Sequence, residues 1–191
     1  MHTLVLNADG TPIKWMPLSV THWKVAITRY VKGDVDILHT YDDWIVHSPS
    51  TSISVPSVIM ERTYVRPEFH VKFSRINVFL RDEFRCQYCG SQHDRKNLQI
   101  EHVLPRYHGG KTKWENCVAA CSDCNLSKAH FLDMSPLVKP KRPNYWDMVN
   151  KRKKLPLVIA DENWIPYLGW DESKLIVRKR RYSNRIDSYI D

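Results

Sequence analysis

Cys86-Gln87-Tyr88-Cys89-Gly90 and Cys121-Ser122-Asp123-Cys124 are two Cys-x-x-Cys pairs with residues 90–120 between them. Two residues between thiols let one tight turn aim both sulfurs at a single ion, and two such turns supply the four thiolates that close a tetrahedral zinc site. Gly90 relieves the backbone just after the first turn. A redox dithiol needs only one pair, so two matched pairs favour metal over redox chemistry. Cys86, Cys89, Cys121 and Cys124 are therefore expected to hold a structural zinc that contributes folding energy and no chemistry. The fifth cysteine, Cys117, is expected to be a small buried apolar residue.

The insert between the pairs has room for a folded element. Leu98-Gln99-Ile100-Glu101-His102-Val103-Leu104-Pro105-Arg106 alternates like a strand and turns at Pro105. Neighbouring strand residues point to opposite faces. Glu101 and His102 could thus serve one centre only at a bulge or a strand end. Gly109-Gly110 then marks a loop, Trp114-Glu115-Asn116 a turn, and Cys121 to Lys128 a short helix bearing Asn125. Each feature is ordinary taken singly, since a buried histidine bonded to a glutamate, or an asparagine on a helix, is common.

In this order the parts resemble the HNH endonucleases of the ββα-metal nuclease superfamily, in the four-cysteine zinc-containing form of bacteria and phages. The pattern is a CxxC knuckle, a strand with Asp/Glu-His, a Gly-rich loop, W-x-N and a CxxCN-x-x-K helix. The resemblance covers Arg81 to Lys128. A looser one extends upstream, where Leu4-Val5-Leu6-Asn7-Ala8 and Pro56-Ser57-Val58 look like the opening of a group of bacterial and phage HNH proteins. The resemblance implies that His102 is the general base for an attacking water and that Glu101 and Asn125 ligate a catalytic divalent metal. Asn116 would brace the loop that holds His102. A neutral imidazole can accept a proton near pH 7, and a hard ion prefers carboxylate and amide oxygens. Two departures matter. Glu101 stands where many members have Asp, and Asn125 replaces the final His, which favours Mg²⁺ or Mn²⁺ over nickel or zinc. Where some relatives place a further ligand, this chain has Ala129; His130 is one residue out of phase and reads as a surface histidine, and His108 as part of the loop.

Outside this core, Thr3 to Leu6 reads as a strand, Ser19 as the cap of a helix running to Val31, and Gly33 as its stop. Val35 to Leu38, Trp44 to Val46 and Ser57 to Met60 read as three short strands. Trp15, Trp23 and Trp44 read as packing residues, the alternative being a recognition element or partner surface. Ser74 to about Arg85 suggests a short helix leading into the first knuckle. Pro136, Pro140 and Pro143 mark a linker, followed by basic runs at Lys139 to Arg142 and Lys151 to Lys154. Lys174 to Arg185 carries basic residues and no acidic one, so it reads as a phosphate-binding or merely solvated tail.

With 191 residues, of which 42% are hydrophobic, the chain can bury a real core. Its net charge of +8 and pI near 9.3 suit a polyanion, because Lys and Arg on phosphates release condensed counterions. Arg106, Lys111, Lys113 and Lys128 are the candidate phosphate contacts, the plain alternative being solvated charges. Met1 to Asn7 does not read as a cleavable signal, and no stretch approaches about 18 apolar residues. The expected fold class is α+β. A small mixed α/β N-terminal element (1–73) precedes a ββα-metal nuclease core with its zinc site (74–134), and a basic C-terminal extension (135–191) follows. The expected function is metal-dependent cleavage of double-stranded DNA in the cytoplasm, leaving 5′-phosphate and 3′-hydroxyl ends. No membrane partner is expected, and a homodimer would allow both strands to be cut. The competing readings are an inactive zinc-stapled nucleic-acid-binding module and a nuclease for RNA. Loss of any one of Glu101, His102 or Asn125 would have favoured the first, and all three are present.

Overall fold

The computed structural model describes residues 1–178. In chain order it contains β1 (His2–Leu6), β2 (Val20–His22), α1 (Trp23–Val31), β3 (Val35–His47), β4 (Ser52–Glu61), α2 (Arg75–Arg81), β5 (Leu98–His102), β6 (Cys117–Cys121), α3 (Ser122–Lys128), α4 (Tyr145–Lys153), β7 (Leu157–Ile159), α5 (Ile165–Leu168) and β8 (Leu175–Val177). The mixed content and the four-cysteine cluster agree with an α+β fold. Among the described residues, no helix is long and apolar enough to cross a membrane. Two compact units form, one from residues 1–67 with the chain after 155, the other from residues 68–155.

In the first unit the sheet order is β2-β1-β4-β3, with β1 parallel to β4 and the other pairs antiparallel. Because side chains alternate along a strand, β1 feeds two cores. Leu4 and Leu6 pack with Val58, Ile159, Trp164, Leu168 and Trp170, while Val5 packs with Ala26, Val35 and Ile59. Helix α1 covers the second face. The first is covered by the segment after Pro156, whose Trp164 Nε1 donates to the Ser57 carbonyl at 2.9 Å. The expected boundaries at 73/74 and 134/135 thus give way to a discontinuous unit: residues 157–177 are a lid on the N-terminal sheet, drawn there by their tryptophans and aliphatic side chains. Of the basic tail, only the part up to Arg178 lies within the described residues, and Leu175–Val177 is strand β8, parallel to β7.

Two further expectations change. Ser19 caps no helix: its Oγ donates to the Val5 carbonyl at 2.9 Å, and Val20–His22 pairs with β1 before α1 begins behind His22. The β-branched Val20 and Thr21 favour that edge strand. The two short strands expected within 35–46 are one strand, β3, with register shifts between Ile37 and Ile45 that absorb the intervening polar residues. Trp15 packs against the first core, and the Trp23 and Trp44 rings lie 5.2 Å apart, as packing residues do.

The second unit is built on the antiparallel hairpin of β5 and β6, paired from Leu98↔Cys121 to His102↔Cys117, with α3 following β6 directly. Ser74 caps α2, its Oγ accepting from Asn77 N. Val78, Phe79 and Leu80 are buried, and the helix end secures the free edge of β6. Asp82 accepts from Ala119 N at 2.8 Å, and Arg81 donates to the carbonyls of Trp114 (2.9 Å) and Cys117 (2.7 Å). A sheet edge so occupied cannot pair elsewhere. Residues 129–144 form no helix or strand, and α4 then buries Tyr145, Met148 and Val149. Of the basic run, Lys151 to Lys153 are half-buried at the end of this helix, and Lys151 donates to the Arg81 carbonyl at 2.6 Å and pairs with Glu83 at 2.9 Å.

Candidate metal centre and active site

The two knuckles converge. The Sγ atoms of Cys86, Cys89, Cys121 and Cys124 all lie within 4.8 Å of one another, which suits four sulfurs about 2.3 Å from one zinc. Backbone bonds set this up. Cys86 N donates to Ser91 O and Gly90 N to Cys86 O, closing a turn in which Gly90 takes φ 74°. Gln87 N donates to Ala119 O at 2.8 Å and ties the first knuckle to β6, whose end carries the second. The Cys89 thiol is lowered to about 6, first by hydrogen bonds from Ser91. Cys124 is pushed up by burial and by the neighbouring thiols, a cost that a divalent cation would remove. Cys86, Cys121 and Cys124 cluster with Ala120 and Tyr88. Cys117 is fully buried, and burial raises its thiol, as befits a core residue.

On β5, Gln99 and Glu101 are two residues apart and share a face, against which α3 lies. Asn125 Nδ2 donates to Gln99 Oε1 at 2.9 Å, and one helical turn later Lys128 Nζ donates to Glu101 Oε1 at 3.0 Å. Glu101 and Asn125 therefore occupy adjacent rungs of one strand–helix contact. Among the described residues, the second carboxylate oxygen of Glu101 and the amide oxygen of Asn125 take no hydrogen bond. The Tyr88 hydroxyl is buried and, among the described residues, has no hydrogen-bond partner; burial raises its pKa, and the Glu101 charge adds to this.

His102 is the last residue of β5, so the strand end required by its adjacency to Glu101 is present. Its ring turns to the other side: Nε2 lies 2.8 Å from Thr112 Oγ1. Among the described residues no hydrogen bond joins the ring to Glu101 or Asn125. Burial lowers the pKa of His102, Arg106 and Lys128 lower it further, and Glu101 opposes them. The imidazole is held neutral and able to accept a proton near pH 7. Asn116, only 7% exposed, bonds with its side chain to Leu104 N (2.8 Å), Leu104 O (3.0 Å) and Lys111 O (3.0 Å), while its carbonyl accepts from Val103 N. It clamps both ends of the loop that follows His102.

Of the four candidate phosphate contacts, Arg106, Lys111 and Lys113 are exposed. Lys128 is not. It is fully buried, and besides Glu101 its ammonium binds the His102 carbonyl at 2.9 Å, so it is an internal counter-ion and not a surface contact. Burial without that carboxylate would cost too much for the charge to persist. Gln99, Thr112, Arg81 and Asp82 were not singled out from the sequence. Gln99 could have been found by its two-residue offset from Glu101; the others carry no local signal.

Residues 86–139 match the model of an HNH endonuclease domain, and residues 3–69 that of an HNH endonuclease-associated N-terminal domain. A CRISPR-associated endonuclease Cas9 of Corynebacterium diphtheriae is 41% identical over 51 residues, which are 26% of this chain and 5% of that protein. The chain thus spans a small fraction of that relative's length. The knuckles, the hairpin and helix α3 all fall within the matched endonuclease domain. The two matches, on either side of residues 70–85, together support an HNH endonuclease family for this chain.

Proposed function

We propose that this chain is a metal-dependent endonuclease that hydrolyses phosphodiester bonds of double-stranded DNA, with His102 as general base. The observation that carries the reading is the juxtaposition of Glu101 and Asn125 across β5 and α3, at the strand end from which His102 projects. Glu101 and Asn125 would hold the ion through oxygen. When bound, a divalent ion supplies Lewis-acid stabilisation of the charge that develops on the phosphoryl oxygens and the departing 3′ oxygen. His102 takes the proton from the attacking water at Nδ1, the ring nitrogen left open by the contact of Nε2 with Thr112, which fixes the ring. Asn116 holds the loop, and with it the His102 backbone, in place. Arg106, Lys111 and Lys113 bind flanking phosphates. The products carry 5′-phosphate and 3′-hydroxyl ends. One centre nicks one strand, and two copies acting together would cut both. A reducing, cytoplasmic setting accords with thiols kept for zinc.

The test is cleavage of supercoiled plasmid by zinc-loaded full-length protein. Mg²⁺ or Mn²⁺ should yield nicked circles, and EDTA, His102→Ala or Asn125→Ala should abolish or strongly slow the reaction while each variant stays folded. Absence of DNA cleavage with every divalent metal would overturn the proposal, and cleavage of RNA alone would redirect it.

A further inference from the structure

The loop after His102 ends in an aromatic surface for which the cleavage chemistry has no use. Tyr107 is 82% exposed and Phe131 54% exposed. The Tyr107 ring meets His108 edge-on at 5.1 Å and lies 5.7 Å from His130, which in turn packs on Phe131 at 4.6 Å and an interplanar angle of 32°. His108 Nε2 donates to the His130 carbonyl at 3.1 Å, tying the loop to the chain that leaves α3. The loop itself is tightly folded. Gly110 N donates to Pro105 O, and Gly109 turns at φ 82°. A Cβ on Gly110 would lie 1.8 Å from Leu104 O. Tyr107 is therefore an aromatic ring held out into water on a braced loop.

Charge indicates what covers it. From His102 to Trp114 there is no Asp or Glu, while Arg106, Lys111 and Lys113 are exposed on the same segment. Arg106 Nη2 also reaches Thr112 Oγ1 at 3.3 Å, the hydroxyl that holds His102, so Tyr107 directly follows a residue that touches the group fixing the proposed base. A flat π surface among cations fits a nucleobase whose phosphates bind the cations. In an intact duplex, base faces are covered by their neighbours and only edges are offered. An unpaired base offers its face.

We propose that Tyr107, backed by His130 and Phe131, stacks on a nucleobase left unpaired beside the scissile phosphate, so that the enzyme prefers DNA that is locally single-stranded at the cut. This rests on the nuclease reading above and specifies its substrate. Stacking on one aromatic side chain is worth about five- to a hundredfold in affinity.

The experiment uses full-length zinc-loaded protein in a His102→Ala background with Mg²⁺, so that DNA is bound and not cut. Anisotropy with a fluorescein-labelled oligonucleotide, single-stranded or in duplex, gives affinities. A 2-aminopurine stepped along the strand reports stacking by quenching. The expected result is that Tyr107→Ala weakens single-strand binding about five- to a hundredfold, changes duplex binding less than about threefold, and abolishes quenching at one position, with Tyr107→Phe close to the parent. Equal loss on both DNAs, or unchanged single-strand binding and quenching, would overturn the stacking role while leaving plasmid cleavage, and hence the nuclease reading, intact. Failure to bind either DNA would overturn both.

Discussion

Replacing Lys128 by Met is expected to destabilise the second unit far more than a surface lysine could. The thioether chain fills nearly the same volume, so no cavity opens and the charge alone is removed. What is lost is a contact of 3.0 Å to Glu101 Oε1 and one of 2.9 Å to the His102 carbonyl, around an ammonium that is fully buried beside a carboxylate side chain only 13% exposed. At 3.0 Å and an effective dielectric of about 20, the attraction is of order 5 kcal/mol. Removing one partner of such a pair costs about 3–5 kcal/mol, because the other charge stays buried and unpaired. Substituting both partners, as Lys128→Met with Glu101→Gln, should recover part of the loss, since the stranded charge is gone. The assay is urea unfolding of zinc-loaded protein for the parent, both single variants and the double variant. A loss of less than about 1 kcal/mol in Lys128→Met, or strict additivity in the cycle, would refute the buried pair and return Lys128 to the surface role read from the sequence.

Metal analysis of the purified protein should find about one tightly held zinc per chain, and Cys86→Ala should abolish it and unfold the second unit, as read by loss of near-ultraviolet dichroism; a metal-free protein that remains folded would exclude the zinc staple. Asn116→Ala should cost about 2–4 kcal/mol, from three side-chain hydrogen bonds in a buried site, and should slow plasmid cleavage with zinc content unchanged. Leu168→Ala should cost about 2–5 kcal/mol in urea unfolding, because Leu168 is fully buried with Leu4 and Leu6; a neutral outcome would mean that the chain after Pro156 is an appendage.

The zinc ligands were legible because covalent spacing alone brings two thiols of one turn together, and two such turns leave one obvious geometry. Glu101, His102, Asn116 and Asn125 were legible only as a set. The loop-bracing part expected of Asn116 has its counterpart in three side-chain hydrogen bonds. The flanks were harder. Val20 to His22 carries no sign that β1 awaits it as a partner, and residues 157–177, inside the stretch read as a basic extension, find their place only when their tryptophans and leucines meet the face of a sheet more than a hundred residues away.

The sequence by itself determined the local chemistry: four thiolates in two knuckles, a carboxylate and an imidazole on adjoining residues, and an asparagine on the helix behind. Only the tertiary structure decided where each charge resides. Lys128, Arg81 and Arg106 are all basic residues close to the core motif, yet the first is a fully buried counter-ion, the second a clasp on three backbone carbonyls, and the third exposed. A basic side chain has the same composition in all three settings. Its role depends on whether a carboxylate, a carbonyl or water surrounds it, and that is set by elements distant along the chain.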